Sequence, residues 1–169
     1  RRALAGAIPD APLPAGLEIR PVREEACRAI WDADTEAFRD HDEPAERDES
    51  DFVRWFAQPV IDTSLWRVAW AGDEVAGSVM TFIFADENER LGVRRAWLEH
   101  VSVRRPWRRH GLASALIADT LRELRAAGLE EAVLGVHGEN PTAALGVYER
   151  LGFEVYRRWS LWRKAMDAG

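Results

Sequence analysis

Between Arg104 and Arg109 four arginines fall within six residues, RRPWRR, and His110, Gly111, Leu112 and Ala113 follow directly. Dense positive charge beside a glycine suits an anion, phosphate above all. With no side chain at Gly111 and only a methyl at Ala113, a phosphate can come up against the backbone itself. A helix opening at this point would aim its unpaired N–H groups and its positive dipole end at the bound charge.

The flanking pattern supplies that helix. From Gly111 onward Ala113, Leu116, Ile117, Thr120, Leu121 and Leu124 recur at helical spacing, and Gly128 stands where the run can end. Before the arginines, Trp97 to Val103 alternates as a strand. Leu98, His100 and Ser102 are predicted on one face, and Glu99, Val101 and Val103 on the other. Arg104-Arg105-Pro106 breaks the strand, because proline has no donor for a ladder. The unit is a strand, a short basic turn and a helix.

The remainder reads as one domain behind a tail. The chain has 169 residues, 47% of them hydrophobic, with eight Trp and six Phe to fill a core. Residues 1–16, rich in Ala and Pro and without an apolar period, read as a linker or disordered tail, and residues 17–169 as the domain. Strands are predicted at 17–22, 64–71, 75–85 and 130–137. A helix over 24–38 carries Ala26, Ile30, Trp31, Asp34 and Phe38 along one face, and a second runs through Phe52 and Phe56 behind a cap at Asp48 or Ser50. Ala71-Gly72-Asp73-Glu74 is a hairpin turn and residues 86–93 a polar loop. A last helix opens at Asn140-Pro141 and ends by Gly152, and 153–156 with 159–164 form a terminal strand pair. Helix and strand alternate late in the chain but not in its middle, so the class is α/β (α+β) with a mixed sheet.

Composition excludes several functions. No apolar run nears the roughly 20 residues of a membrane helix, and no signal pattern is present. The one cysteine, Cys27, permits no internal disulfide, so a cytoplasmic protein is expected. His41, His100, His110 and His137 lack ligand spacing, and no metal is expected. Residues 1–89 hold 9 Arg against 20 acidic residues, a net of −11, and residues 90–169 hold 14 basic against 9 acidic, a net of +5. The basic half suits a polyanionic cofactor and the acidic half a cationic substrate, or else plain solvated surface. RRPWRRH would also suit nucleic acid, but a net charge of −6 opposes it, and no nucleic-acid partner is expected.

Two motifs together resemble the GNAT N-acetyltransferases. Arg108-x-x-Gly111-x-Ala113 behind Val101-Ser102-Val103 is similar to motif A of that family, Arg/Gln-x-x-Gly-x-Gly/Ala after a strand ending Val-x-Val. Asn140-Pro-Thr-Ala-Ala-Leu-Gly-Val-Tyr148-Glu-Arg-Leu-Gly152-Phe153 resembles its second hallmark, Asn, then Ala, then Tyr, then Leu-Gly-Phe. Asn140 stands one residue further from Tyr148 than the common family spacing. This Asn-Pro-Thr form is similar to the mycothiol synthase type, which carries two such domains in tandem, and a linker before residue 17 suits the second of the pair.

The resemblance implies a GNAT (acyl-CoA N-acyltransferase) fold, a mostly antiparallel sheet of about six to seven strands with four helices. It implies an N-acetyltransferase that moves an acetyl group from acetyl-CoA, its co-substrate, to a primary amine by direct attack in a ternary complex. The rival is a non-catalytic coenzyme A-binding domain of a tandem protein. In relatives the strand holding Val101 and Val103 splays from the next one, pantetheine lies in the gap, and the pyrophosphate sits on the amides of the turn. The implied coenzyme-binding set is Val101, Ser102, Val103, Arg108, Arg109, His110, Gly111, Leu112, Ala113, Ser114 and Asn140, although Asn140 can equally cap its own helix. Glu99 matches a glutamate that acts as base in polyamine-acetylating relatives, or it is a structural carboxylate paired with Arg94, Arg95 or Arg104. Tyr148 is the implied acid, or a core tyrosine, and His100 is packed or paired on the opposite face. Trp31, Phe38, Asp40 and His41 fall at the acceptor wall, the alternative for the acidic stretch 40–51 being a solvated loop. The expected partners are a small-molecule or peptide amine and, beyond it, a preceding domain or a second copy in a homodimer; no membrane partner is expected.

Overall fold

The computed structural model describes residues 1–40, 47–136 and 144–159. Its strands are β1 (Arg2–Ala3), β2 (Glu18–Arg20), β3 (Arg67–Ala71), β4 (Glu74–Phe82), β5 (Arg95–Val103) and β6 (Glu131–Val133). They form a sheet in the order β1-β6-β5-β4-β3-β2, in which β5 and β6 run parallel and every other neighbouring pair antiparallel. The helices are α1 (Cys27–Phe38), α2 (Glu49–Phe56), α3 (Ala85–Leu91), α4 (Leu112–Ala126) and α5 (Ala144–Arg150).

The sheet carries helices on both faces, and β4 at its centre is buried along its length after Glu74. On one face Ile30 and Ala33 of α1 pack with Trp66, Val68, Val75, Met80 and Phe82. On the other, Leu112, Leu116, Ile117, Leu121 and Leu124 of α4 cover Ala69, Ala76, Val79, Ala96 and Leu98. Gly77 marks the closest approach of β4 to β5, where a Cβ would lie 2.6 Å from the Ser102 carbonyl oxygen. Of the two predicted caps for α2, Asp48 is the one used: its side chain accepts from the Asp51 N–H while Asp51 accepts from the Asp48 N–H, a reciprocal pair.

The mixed, mostly antiparallel sheet agrees with the sequence reading, with three differences in detail. The helices number five among the described residues, not four, because α3 forms in the predicted polar loop. Asp86 and Glu87 in its first turn and Arg90 in its last match the helix dipole, and Gly92 at φ 63° ends it. Residues 1–16 are no loose tail: β1 pairs with β6, Leu4 is 1% exposed, and Ile8, Ala11 and Leu13 pack against the α4 side of the core. The buried Arg2 guanidinium donates to the carbonyls of Leu151 and Ala7, capping the C-terminal end of α5. The predicted strand at 153–156 is irregular backbone, held at Glu154, whose N–H donates to the Arg1 carbonyl at 2.8 Å and whose carbonyl accepts from the Arg1 ammonium at 2.6 Å. Residues 160–164 of that pair lie outside the described residues.

Candidate active site

β5 organises the site through a gap on one side and a bulge on the other. Its parallel pairing with β6 covers only Arg95–Trp97 against Glu131–Val133, so among the described residues the second half of β5 has an open edge there. Which residues use that edge follows from the antiparallel ladder with β4. Arg104 donates its N–H to the Ala76 carbonyl at 3.0 Å, and the register runs Ser102↔Ser78 and His100↔Met80. Hydrogen-bonded pairs alternate along such a ladder, so Ser102 and His100 spend their backbone groups on β4 while Val101 and Val103 turn theirs into the gap. The Val103 carbonyl is then taken by Arg108 Nε at 2.8 Å, which leaves the N–H and C=O of Val101 and the N–H of Val103 without a backbone partner among the described residues. Ser102 is therefore not part of this edge: it is buried, with its hydroxyl 3.1 Å from that of Ser78.

The basic turn lies at the mouth of the gap. Arg109 (φ 66°) and Gly111 (φ 85°) both adopt the left-handed region, and Arg109 pays the steric cost of a non-glycine residue there. Gly111 is the N-cap of α4 and has no side chain to cap it, and the first intrahelical bond runs only from Ala115 to Gly111. The N–H groups of Leu112, Ala113 and Ser114 therefore open outward at the positive end of a 15-residue helix. Nothing stands within 4 Å of the place a Gly111 Cβ would take. Leu112 contributes only its amide, since its side chain is 1% exposed in the core. Beside the turn, Pro106, Trp107 and His110 face Pro14, Gly16 and Leu17 across a cleft of about 400 Å³.

The arginines divide the work unevenly. Arg104 pairs with Glu36 at 2.9 Å and Glu74 at 3.3 Å. Arg105 and Arg108 both hold Asp40, and Arg108 also donates to the Ala37 carbonyl at 2.9 Å. Arg109 alone of the four has no acidic partner among the described residues. Arg108 is thus a brace that ties the turn to β5 and to the end of α1. Asp40, expected on the acceptor wall, is the other half of that brace, and the hydrogen bonds from Arg105 and Arg108 hold its carboxyl well below the usual carboxylate range.

The bulge falls at Glu99. Thr81 pairs with Leu98 and Met80 with His100, so Glu99 is the extra residue. Strict alternation is broken there: Leu98 joins Val101 and Val103 on the α4 face, whereas His100 faces α1. Glu99 is exposed, and its expected structural partners are committed elsewhere, Arg94 to Glu130 at 3.1 Å and Arg95 to Glu87 at 3.5 Å and to Glu131. His100 Nδ1 lies 2.8 Å from Oδ2 of Asp34, a carboxylate 1% exposed. The sequence places Asp34 on the inner face of α1 without a role in the site; the signal for one is its type, a lone acid in the apolar stripe, four residues from both Ile30 and Phe38.

Tyr148 projects from α5 into the α4 side of the core, where its ring meets Phe153 at 6.0 Å, and burial pushes its phenol up from the ordinary value. Its hydroxyl has no protein partner among the described residues. Phe38 sits 5.5 Å from the His100 ring, at the α1 face of the bulge. Trp31 stands behind it, 5% exposed among Phe52, Trp55 and Phe56, and supports that wall instead of lining it. His41 and Asn140 lie outside the described residues.

Comparison with known proteins gives the same outline. The acetyltransferase (GNAT) family model matches residues 24–153. A mycothiol acetyltransferase of Salinispora tropica is 35% identical over 95% of this chain and 51% of its own length, and one of Streptomyces scabiei is 34% identical over 96% and 51%. The chain thus spans about half the length of these curated relatives. A GCN5-related N-acetyltransferase from Sphaerobacter thermophilus superposes with a TM-score of 0.71 at 29% identity, over 89% of this chain and 45% of that one. AAC(6')-Iy, solved with a bisubstrate analogue of coenzyme A, shares the fold at a TM-score of 0.64 and 20% identity, over 89% and 99%.

Proposed function

This chain belongs to the acetyltransferase (GNAT) family, and from that premise we propose that it moves an acetyl group from acetyl-CoA to a primary amine by direct attack in a ternary complex. The observation that carries the proposal is the open edge of β5 at Val101, running up to the uncapped start of α4. An arm with alternating amides can pair with the first while a pyrophosphate rests on the second. The cleft between Trp107, His110 and Pro14–Leu17 offers room for the nucleotide end.

In this reading the acceptor arrives as an ammonium and loses a proton at the bulge, with Glu99 as proton acceptor. Its nitrogen then attacks the thioester carbonyl carbon, the C–S bond breaks, and the thiolate takes a proton from Tyr148. The Tyr148 hydroxyl, a donor with no protein partner among the described residues, supports the last role. The spare carboxylate of Glu99 supports the first. The relatives' name makes mycothiol formation the first acetylation to test. Their length supports a tandem protein in which this domain, its first 16 residues included, is one of the pair. Cys27, a free thiol, agrees with a cytoplasmic setting, and no helix among the described residues is long and apolar enough to cross a membrane.

Calorimetry with acetyl-CoA, followed by a free-thiol screen over primary amines, tests the proposal. Binding with amine-dependent thiol release is the expected result. Binding with no release for any amine would assign a non-catalytic coenzyme-binding domain, and absence of binding would overturn both.

A further inference from the structure

Asp34 is a charged group where the apolar stripe of α1 meets the sheet, and its environment is unusually specific. Oδ2 receives His100 Nδ1 at 2.8 Å and the Arg47 guanidinium at 3.0 Å, while Oδ1 is buried with no partner. A carboxylate taken out of water in this way requires its partners, and here they fix the imidazole. With Nδ1 donating to Asp34, the ring's lone pair resides on Nε2. Phe38 and Trp55 hold the ring at centroid distances of 5.5 and 5.0 Å. Nε2 has no hydrogen-bond partner among the described residues and is not sealed in, and the side chain keeps 16% of its surface open. The residue stands in the bulge between Glu99 and Val101, one step from the backbone that faces the coenzyme gap.

We propose that His100, oriented by Asp34, shares the proton step of acetyl transfer and takes the proton from the acceptor's ammonium at Nε2. The inference rests on the transfer reading above and divides its first step: Glu99 draws in the ammonium, and His100 takes its proton in place of Glu99. A carboxylate at Glu99 attracts the ammonium but, by pairing with it, also holds the proton on. An imidazole is a stronger base than a carboxylate by about two pKa units as residue types, and it takes the proton without that counter-effect. One N–H bond of the ammonium breaks and Nε2–H forms. The electron pair stays on nitrogen for the attack on the carbonyl carbon, and the imidazolium later returns its proton to solvent. Among the described residues the charged groups facing the ring are Asp34 on α1 and Arg47 ahead of α2; Met80, opposite on β4, is neutral.

The test uses two small amines that need no dedicated acceptor pocket: ethylamine, an ammonium at pH 7, and methoxyamine, whose nitrogen is already neutral there. Single-turnover rates at pH 7 are compared for the wild type, His100→Gln and Glu99→Gln, with acetyl-CoA affinity checked by calorimetry. Glutamine keeps a donor toward Asp34 and removes the base. His100→Gln should lose about a hundredfold with ethylamine and less than about twofold with methoxyamine, with unchanged acetyl-CoA affinity. Glu99→Gln should instead raise the ethylamine concentration needed for half-maximal rate. Equal losses of His100→Gln on both amines, or none on either, would overturn the role of His100 and leave the transfer reading standing. A wild type that binds acetyl-CoA yet acetylates neither amine would remove the transfer reading itself, and this inference with it. Diethyl pyrocarbonate, followed by peptide mapping, tests the wild type independently of any variant: His100 should be carbethoxylated at Nε2, and an unmodified His100 would overturn the proposal.

Discussion

Gly111 allows a test in which strain and contact can be separated. Its φ of 85° is unfavourable for any residue with a Cβ, and substitution by alanine should destabilise the fold by about 1–2 kcal/mol. The same penalty applies at Gly128, at the other end of the same helix, where φ is 83° and the nearest atom to an added Cβ is Arg94 Nη1 at 3.8 Å. The two sites differ in what stands in front of them. The new methyl of Gly111→Ala would enter the open space at the uncapped start of α4, where a pyrophosphate would rest. Keeping the phosphate off those amides should cost at least tenfold in acetyl-CoA affinity, about 1.4 kcal/mol. Gly128→Ala should unfold at a similarly reduced urea concentration and bind as the wild type does. Calorimetry at fixed ionic strength, with urea melts run alongside, gives both quantities. Equal affinity losses in the two variants would mean that helix strain is being read, and unchanged affinity in Gly111→Ala would refute the phosphate site.

Four further outcomes follow from the geometry. Tyr148→Phe should lower the single-turnover acetylation rate by about 10²–10⁴-fold and leave acetyl-CoA affinity unchanged. Because burial raises the Tyr148 pKa above its unfolded value, wild-type stability should be intact below about pH 10 and fall as pH rises through the folded pKa, a loss that pH-dependent urea melts should find absent in Tyr148→Phe. The extra alkyl amine that Glu99→Gln needs for half-maximal rate should shrink between about pH 7 and 9.5 as solvent deprotonates an acceptor with a pKa of ~10.4, and a pH-independent difference would remove Glu99 from handling the ammonium. Leu4→Ala should cost about 2–5 kcal/mol in a urea melt, because Leu4 is 1% exposed in the α4 side of the core; a linker residue would cost nothing.

The strand, turn and helix around Arg108–Ala113 were legible because each carries its own period or breaker, and Gly111 announces a backbone that only glycine adopts freely. Two kinds of information were not. The bulge at Glu99 leaves no mark in alternation, since it depends on how β4 and β5 settle against two different helix layers, and it changes which residues share a face. Partnerships across the fold were equally silent. The charges of Arg105 and Arg108 could be read but not that Asp40 would hold both, and Asp34 could be read but not that His100 would meet it from β5. Residues 1–16 misled for a related reason. A segment lying along a finished surface has no face of its own, so Leu4, Ile8, Ala11 and Leu13 show no period although they are packed.

The sheet tapers to its shortest strands at both margins among the described residues, two residues in β1 and three in β2, while β4 and β5 at its centre have nine each. An outer strand with unpaired N–H and C=O groups is a template on which another molecule can add a strand. Here the template is kept brief, Glu18 and Arg20 put charge on one margin, and Arg2 anchors the other. The long central strands, with four valines, Phe82 and Trp97 between them, are thereby kept off the outer margins, and the open stretch of β5 at Val101 lies inside the sheet order, not at its rim.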